Sequence, residues 1–433
     1  MTFDLVVVGS GMAGMTAAAA VAAGGGRVAV VEKAASLGGS SVMSGGWVWT
    51  APEPDVLVAE SPRADPDLVA QLCAGYGRLI EWIGATGAAV GDEAVVLGYG
   101  RGRPVDMVAY LEACRVGVLA AGGEVRTRAQ MYALVVEDGR VAGVEVDDAG
   151  EPLVRSAPWT LLASGGFQAD PELLAEHVHP AAPTMPLRSN RASTGDGLRA
   201  ALAVGAGTSP GMDGFYGHLI SWPTDVWVPG VYTLLSQYHS HRAALVNVDG
   251  ECFAPPFGSD HYNAQWALRQ PGVRSAMIFD RRLYEDQGSP ISTGERPNAF
   301  DIAAEHGAHA ASAASLHELG GVITRWGFAG DRLADAIATF NEHVTGAQQV
   351  IEEPPFYALE VRPAITFTHG GVRIDTGARA LDASGHPVPG LLAAGADAGG
   401  VHDGGYGGGL ATAGVFGLRA ADTVLGTGRS VAR

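Results

Sequence analysis

Each end of this chain carries a glycine-rich strand–turn–helix pattern, and that pair narrows the possible folds more than any other feature. Near the start, Phe3–Val8 runs into Gly9-Ser10-Gly11-Met12-Ala13-Gly14 and an alanine-rich helix. Near the end, Gly390–Asp397 leads through further glycine into a helical pattern over Leu410–Ala421. Glycine lets backbone approach a ligand closely, and a helix N-terminus faces negative charge favourably. Two such sites at opposite ends point to one long dinucleotide gripped by both termini of a single folded unit.

At 433 residues the chain exceeds one simple core, so a large domain with a second or inserted domain is expected. Apolar content of 47% with 17% charged residues is that of a well-buried globular protein. The 28 Lys and Arg against 46 Asp and Glu leave a net charge of −18, which argues against nucleic acid and anionic membrane surfaces as partners. Cys73, Cys114 and Cys252 lie far apart with no CxxC spacing. No cysteine-framed iron–sulfur or zinc site is expected, no metal is assigned, and a reducing compartment is implied. Phe3 already belongs to the first strand and Ala17–Ala23 is too short to span a bilayer. A cytoplasmic protein without a membrane span is the expectation.

Residues 3–33 read as strand, tight turn, helix and a second strand, Val28–Val31, closed by Glu32. Helical patterns cover Asp67–Leu79 and Val105–Ala121, and Glu124–Val146 alternates as strands around an Asp138-Gly139 turn. Trp159–Ala163 is a further short apolar strand. From about residue 207 to 350 the composition shifts towards histidine and aromatic residues. Leu333–Val344 reads as a helix, and Pro354-Pro355 marks the expected return to the first domain.

A lone GxGxxG means little in a chain with 62 glycines. Here, however, it follows an apolar strand, opens a helix and precedes a second strand ending in Glu32, where a carboxylate can accept from ribose hydroxyls. An acid in that place speaks against a 2′-phosphate. The segment Glu32-Lys33 to Gly38-Gly39-Ser40-Ser41, continued by Ser44-Gly45-Gly46, is followed by Ala163-Ser164-Gly165-Gly166, Thr194-Gly195-Asp196-Gly197 and the C-terminal block. In order and type these motifs resemble the fumarate reductase/succinate dehydrogenase flavoprotein superfamily over residues 3–205 and 355–421, with looser similarity between.

The resemblance implies an α/β fold: a Rossmann-like FAD-binding domain (1–206 and 354–433) with an inserted α+β capping, or substrate, domain (207–353). It implies that Gly9, Gly11, Met12, Ala13 and Gly14 line the pyrophosphate and that Glu32 meets the adenosine ribose. Ser40, Ser41, Ser44, Gly45 and Gly46 would approach the pyrophosphate and flavin, and Met131 would meet adenine through its backbone. Asp196 would help hold the flavin side, Asp397 would contact the ribityl chain, and Leu410 and Ala411 would present helix amides to the flavin O2 edge. Lys33, Gly39, Ala163, Ser164, Gly165 and Gly395 belong to the same cofactor-binding motifs. Covalent relatives carry a histidine in the early Gly-Gly segment, where this chain has Ser40-Ser41. The FAD is therefore expected to be non-covalent.

The family's dicarboxylate enzymes use an arginine proton donor, and the matching stretch here, 250–261, puts Asp260 in its slot. Tyr406 stands where a second, carboxylate-holding arginine would fall, and Phe367 replaces a histidine. Fumarate and succinate are not expected as substrates. A tyrosine at 406 is similar instead to the 3-ketosteroid dehydrogenase and tricarballylate dehydrogenase-like branches, although Leu410 stands where the ketosteroid enzymes have glycine. The implied reaction acidifies a C–H beside a carbonyl, removes that proton and passes hydride from the β-carbon to flavin N5.

A tyrosine with a pKa of about 10 is a poor base at neutral pH and needs a relay. On a strand, residues i and i+2 share a face, so Tyr216 and His218 are expected together. Tyr238 with His239, and His261 with Tyr262, are further candidates, and His402 and Asp403 adjoin Tyr406. The expected partner is a small carbonyl-containing substrate, with an external electron acceptor left open. The other readings are an electron-transfer flavoprotein subunit, a polycarboxylate dehydrogenase of the tricarballylate type, or a flavin-binding protein with a degenerate site.

Overall fold

Leu5–Val8 and Val28–Glu32 carry almost no polar residues because the strands they form are buried on both faces. That is the requirement of a parallel sheet covered by helices on each side. The computed structural model describes residues 3–253, 260–286, 298–344 and 349–428. These fall into two units: Met1–Val178, Ser189–Phe215 and Phe367–Arg433 form the first, and His179–Arg188 with Tyr216–Thr366 the second.

The first unit is built on a six-stranded sheet. Its order is Arg379–Leu381, Pro387–Ala393, Thr160–Leu162, Leu5–Val8, Val28–Glu32 and Glu124–Thr127. Every pairing is parallel except that of Arg379–Leu381 at the edge. The helix Met12–Ala23 is buried from Met12 through Ala22. Its alanine run reflects packing between the sheet and the long C-terminal helix Gly409–Gly428, where larger side chains have no room. The strands Ala129–Glu137, Arg140–Asp148 and Glu151–Ser156 form an antiparallel meander. Asp138 and Gly139 both take positive φ at its first turn, as the two-residue hairpin chemistry requires.

The second unit holds a mixed-length sheet in the order Phe215–Ser221, Phe356–Thr368, Ser275–Asp280 and Ala244–Asn247, with Ala310–Ala313 also paired to Phe356–Thr368. The helices Leu316–Arg325 and Leu333–Glu342 pack Leu319, Ile323 and Ile337 onto Ala244, Val246, Ile278 and Ala358 of that sheet.

The boundaries differ from the expected 207–353. Residues 207–215 stay with the first unit, where Gly207 N–H donates to Leu381 O and Ser209 N–H to Gly371 O. Pro354-Pro355 is not the point of return, because the strand that follows is central to the second sheet. The segment 179–188 joins the second unit through reciprocal backbone bonds, Arg188 N–H to Ile365 O and Ile365 N–H to Pro186 O. No helix among the described residues is long and apolar enough to cross a membrane.

Candidate functional site

At the end of the first strand the backbone turns at Gly9 with φ +102°. Met12 N–H, at the start of the helix, donates to Ser41 Oγ (2.9 Å). A Cβ on Gly11 would meet nothing nearer than that hydroxyl at 3.5 Å, so this side of the turn is open to a ligand. Glu32 Oε2 accepts from Ser10 N–H (3.0 Å) and Ser10 Oγ (2.7 Å), while Oε1 accepts Ala34 N–H (2.7 Å). The carboxylate thereby fastens the turn to the second strand, and Oε1 retains acceptor capacity for a ribose hydroxyl. Ser40 Oγ accepts Asn190 N–H, and Ser44 Oγ bridges Ser41 O and Gly46 N–H. Ser44 and Gly45 are exposed, and Gly39 lies in the same short helical turn as Ser40 and Ser41.

Two of the expected cofactor residues are engaged within the protein. Asp196 lies beside Lys33 (2.9 Å), Thr194 and Gln130, the last being the chain neighbour of Met131. Lys33 is correspondingly turned to Asp196 and Thr194. Asp397 is buried and accepts from Ser164 N–H, Ser164 Oγ (3.0 Å) and Gly166 N–H (3.1 Å). Burial pushes its carboxyl up from the usual range, against those bonds. Its carboxylate thus clasps the loop after Ala163. Leu410 and Ala411 occupy the first turn of the C-terminal helix, where amides precede the helical ladder. Open cradle, exposed Ser44-Gly45 and unladdered amides together fit a dinucleotide with an electron-accepting ring.

Tyr406 closes an aromatic group in the first unit. Its hydroxyl accepts Gly409 N–H (2.9 Å) and its carbonyl accepts from Tyr99 (2.7 Å). Trp49 meets it edge-on with ring centres 5.2 Å apart, and Phe367 and His402 lie at 5.9 and 5.5 Å. Tyr406 is thus closely packed among rings despite its glycine flanks. A Cβ on Gly408 would sit 1.8 Å from Trp49 O, so the glycines exist to bring this loop against the 47–50 strand. Trp49 and Tyr99 were not readable as neighbours from sequence. Gly407 N–H donates to His402 Nδ1, which fixes the proton on Nε2 facing Thr412 Oγ1 (3.1 Å). His402 thereby braces the loop. Asp403 pairs with Arg63 (2.6 Å).

In the second unit the strand Phe215–Ser221 brings Tyr216 and His218 together as its period dictates, Tyr216 Oη lying 2.8 Å from His218 Nε2. His218 Nδ1 meets Asp260 Oδ2 at the start of the helix Asp260–Leu268. Tyr238 lays its ring edge on His218 at 4.7 Å, and His261 Nδ1 lies 3.7 Å from Asp260 Oδ1. Tyr216, His218, Tyr238 and His261 thus converge on one cluster. Asp260 is the residue that sequence reasoning missed: it was read only as a lost arginine. Its neighbour His261 was the available signal, although residues 254–259 of that stretch lie outside the described residues.

Burial draws the His218 imidazole down to about 4, against the pull of Asp260 and helped by the charges of Arg188 and His261. Asp260 is itself held low: burial would raise it, but His218 and its hydrogen bond prevail. At neutral pH the arrangement is a carboxylate, a neutral imidazole with its proton on Nδ1, and a lone pair on Nε2 aimed at a phenol. Between pH 6.5 and about 4 the unfolded chain binds a proton at His218 that the folded chain refuses. Stability should therefore fall by about 3 kcal/mol on acidification through that window. Asp260 pushes the same way at lower pH. Melting temperatures of the native protein and His218→Gln, compared from pH 7 to 4, should converge as pH falls.

The family model for the FAD binding domain matches residues 4–78 and 87–411. A cytochrome-type fumarate reductase of Shewanella frigidimarina is 27% identical over 448 residues, spanning 93% of this chain and 73% of the relative. The 3-oxosteroid 1-dehydrogenase of Mycolicibacterium smegmatis is 26% identical over 534 residues, spanning 91% of each. In fold, the 3-ketosteroid-Δ4-(5α)-dehydrogenase of Rhodococcus jostii superposes with a TM-score of 0.76 at 20% identity, covering 98% of this chain and 97% of that one. The chain accordingly belongs to the FAD binding domain family and is an FAD-dependent oxidoreductase of the group that holds the fumarate reductases and 3-oxosteroid dehydrogenases.

Proposed function

We propose that this protein dehydrogenates a C–C bond adjacent to a carbonyl, or reduces it in reverse, in the manner of a 3-oxosteroid dehydrogenase. The observation that carries this reading is the Tyr216–His218–Asp260 chain of hydrogen bonds. Non-covalently bound FAD, held by the first unit, supplies the hydride acceptor. The second unit is the substrate domain.

Tyr216 is the group that takes the proton from the carbon next to the carbonyl. Its phenol is a weak base alone, but its own proton has a receiver in His218 Nε2. Asp260 holds His218 in the tautomer that leaves Nε2 open and stabilises the imidazolium that forms, the logic of a hydrolase triad transferred to a phenol. Tyr238 and His261 wall the imidazole off from water and keep its orientation. Tyr406, whose hydroxyl accepts Gly409 N–H, is proposed as a hydrogen-bond donor to a carbonyl oxygen.

The test is anaerobic mixing of the yellow protein with saturated cyclic 3-ketones while visible flavin absorbance is followed. Bleaching is expected, and Tyr406→Phe should slow it by about 10²-fold. Oxidised flavin persisting with every ketone, alongside rapid bleaching by a simple amine or alcohol, would refute the proposal. A Tyr406→Phe protein with full turnover would remove that tyrosine from the mechanism.

A further inference from the structure

The segment 179–188 ends in a cation that no described carboxylate neutralises. Arg188 is only 9% exposed. Its Nη1 donates to Thr366 Oγ1 (2.8 Å) and its Nη2 to Ser236 Oγ (3.0 Å), and the Ser236 hydroxyl in turn donates to Tyr232 O (2.6 Å). Nε is buried without an acceptor, and no carboxylate among the described residues lies within 4.0 Å of the guanidinium. Elsewhere in the same unit the chain solves this problem fully: Glu360 takes Arg274 through both oxygens at 2.8 and 3.0 Å. Hydroxyl dipoles orient a guanidinium but do not cancel its charge. Burying an unmatched ion costs several kcal/mol, which a compensating anion offsets. Ser236, which holds Nη2, pairs with Ile220 on the strand that carries Tyr216 and His218, so Arg188 belongs to the neighbourhood of the proposed proton relay.

We infer that Arg188 is an anion subsite, and that the substrate of the proposed dehydrogenation carries a carboxylate which the guanidinium receives. The inference rests on the reading of the relay as the reaction site. Arg188 offers five N–H donors in a planar fork, of which two are used, so donors remain for an anion. The subsite replaces, from a different place in the chain, the anion-holding role that the arginine missing from position 406 would have filled. It makes keto acids the preferred substrates over neutral ring ketones, which lack the anion. Thr366 and Ser236 are positioning residues that hold the guanidinium flat, and neither touches the ligand.

A matched pair of probes separates the possibilities: 4-oxocyclohexanecarboxylate and its methyl ester, titrated into the FAD-loaded protein. Binding is read by tryptophan fluorescence, since Trp227 Nε1 donates to Leu187 O (2.9 Å) beside the cation, with Trp227→Phe identifying that signal. The native protein should bind the acid at least about tenfold more tightly than the ester, the range of a hydrogen bond to a charged group. Arg188→Met should abolish that preference while leaving ester binding unchanged. Arg188→Lys should restore part of it and shows that the fold tolerates change there. Equal affinity for acid and ester in the native protein, or a preference that survives in Arg188→Met, overturns the inference. So does no binding of the acid at all. Flavin absorbance in the same titrations keeps the two claims apart. Arg188-dependent binding without bleaching sinks the proposed reaction and leaves the subsite, whereas bleaching by both probes regardless of Arg188 does the reverse.

Discussion

Replacing His218 by Gln should slow flavin reduction by ketone by about 10²–10⁴-fold while the protein stays yellow. The size follows from the geometry. Tyr216 Oη has His218 Nε2 at 2.8 Å as the receiver of its proton, and glutamine offers an amide of similar reach that cannot take one. Asp260→Asn should fall in the same range by a different route: the amide donates to Nδ1, moves the imidazole proton to Nε2 and closes the acceptor that Tyr216 needs. Because Asp260 is buried against His218 and His261, its replacement should also lower the melting temperature, which His218→Gln does far less at acid pH. Tyr216→Phe keeps the imidazole and removes the phenol, so its rate loss should match that of His218→Gln and not add to it in the double variant. Stopped-flow absorbance at saturating ketone checks all four proteins. Full rate in His218→Gln, with FAD content unchanged, would remove the relay from the reaction.

What could be read before the structure sorts by the range of the interaction. Tyr216 and His218 were found because two residues on one strand obey a period of two. The N-terminal turn was found because the strand, glycines and helix lie within thirty residues of one another. Asp260 escaped because its partner is 42 positions away and its alignment slot belonged to an arginine. Asp397 escaped for the same reason: its clasp on Ser164 and Gly166 joins loop residues more than 230 positions away, and only tertiary structure shows that the carboxylate is already engaged. The domain return at Pro354-Pro355 failed differently. Proline pairs announce a break in local structure, but they cannot say to which sheet the next strand, Phe356–Thr368, will be added. Arg188 was invisible because unpaired charge is a property of surroundings, not of a motif.

The largest effect is expected at Gly9. Its φ of +102° is strained for any residue with a side chain, and a Cβ there would lie 2.2 Å from Ala163 O. Ala163 cannot retreat, because its N–H donates to Val8 O at 2.8 Å in the centre of the parallel sheet. Gly14 faces a similar barrier, with a Cβ 2.1 Å from Gly9 O. Gly9→Ala should therefore give colourless, poorly folded protein, a loss above about 4 kcal/mol that approaches the whole stability of a domain. Loss of colour alone would not separate folding from cofactor binding, and Gly11 does. Its φ of −72° suits alanine and its Cβ would meet only Ser41 Oγ at 3.5 Å. Gly11→Ala should fold with the melting temperature of the native apoprotein yet bind FAD at least about tenfold more weakly, because the methyl group occupies the approach to the helix N-terminus. Titration of both apoproteins with FAD, read by flavin fluorescence quenching, decides the matter. Native-like affinity in Gly11→Ala would mean that the pyrophosphate does not cross this turn.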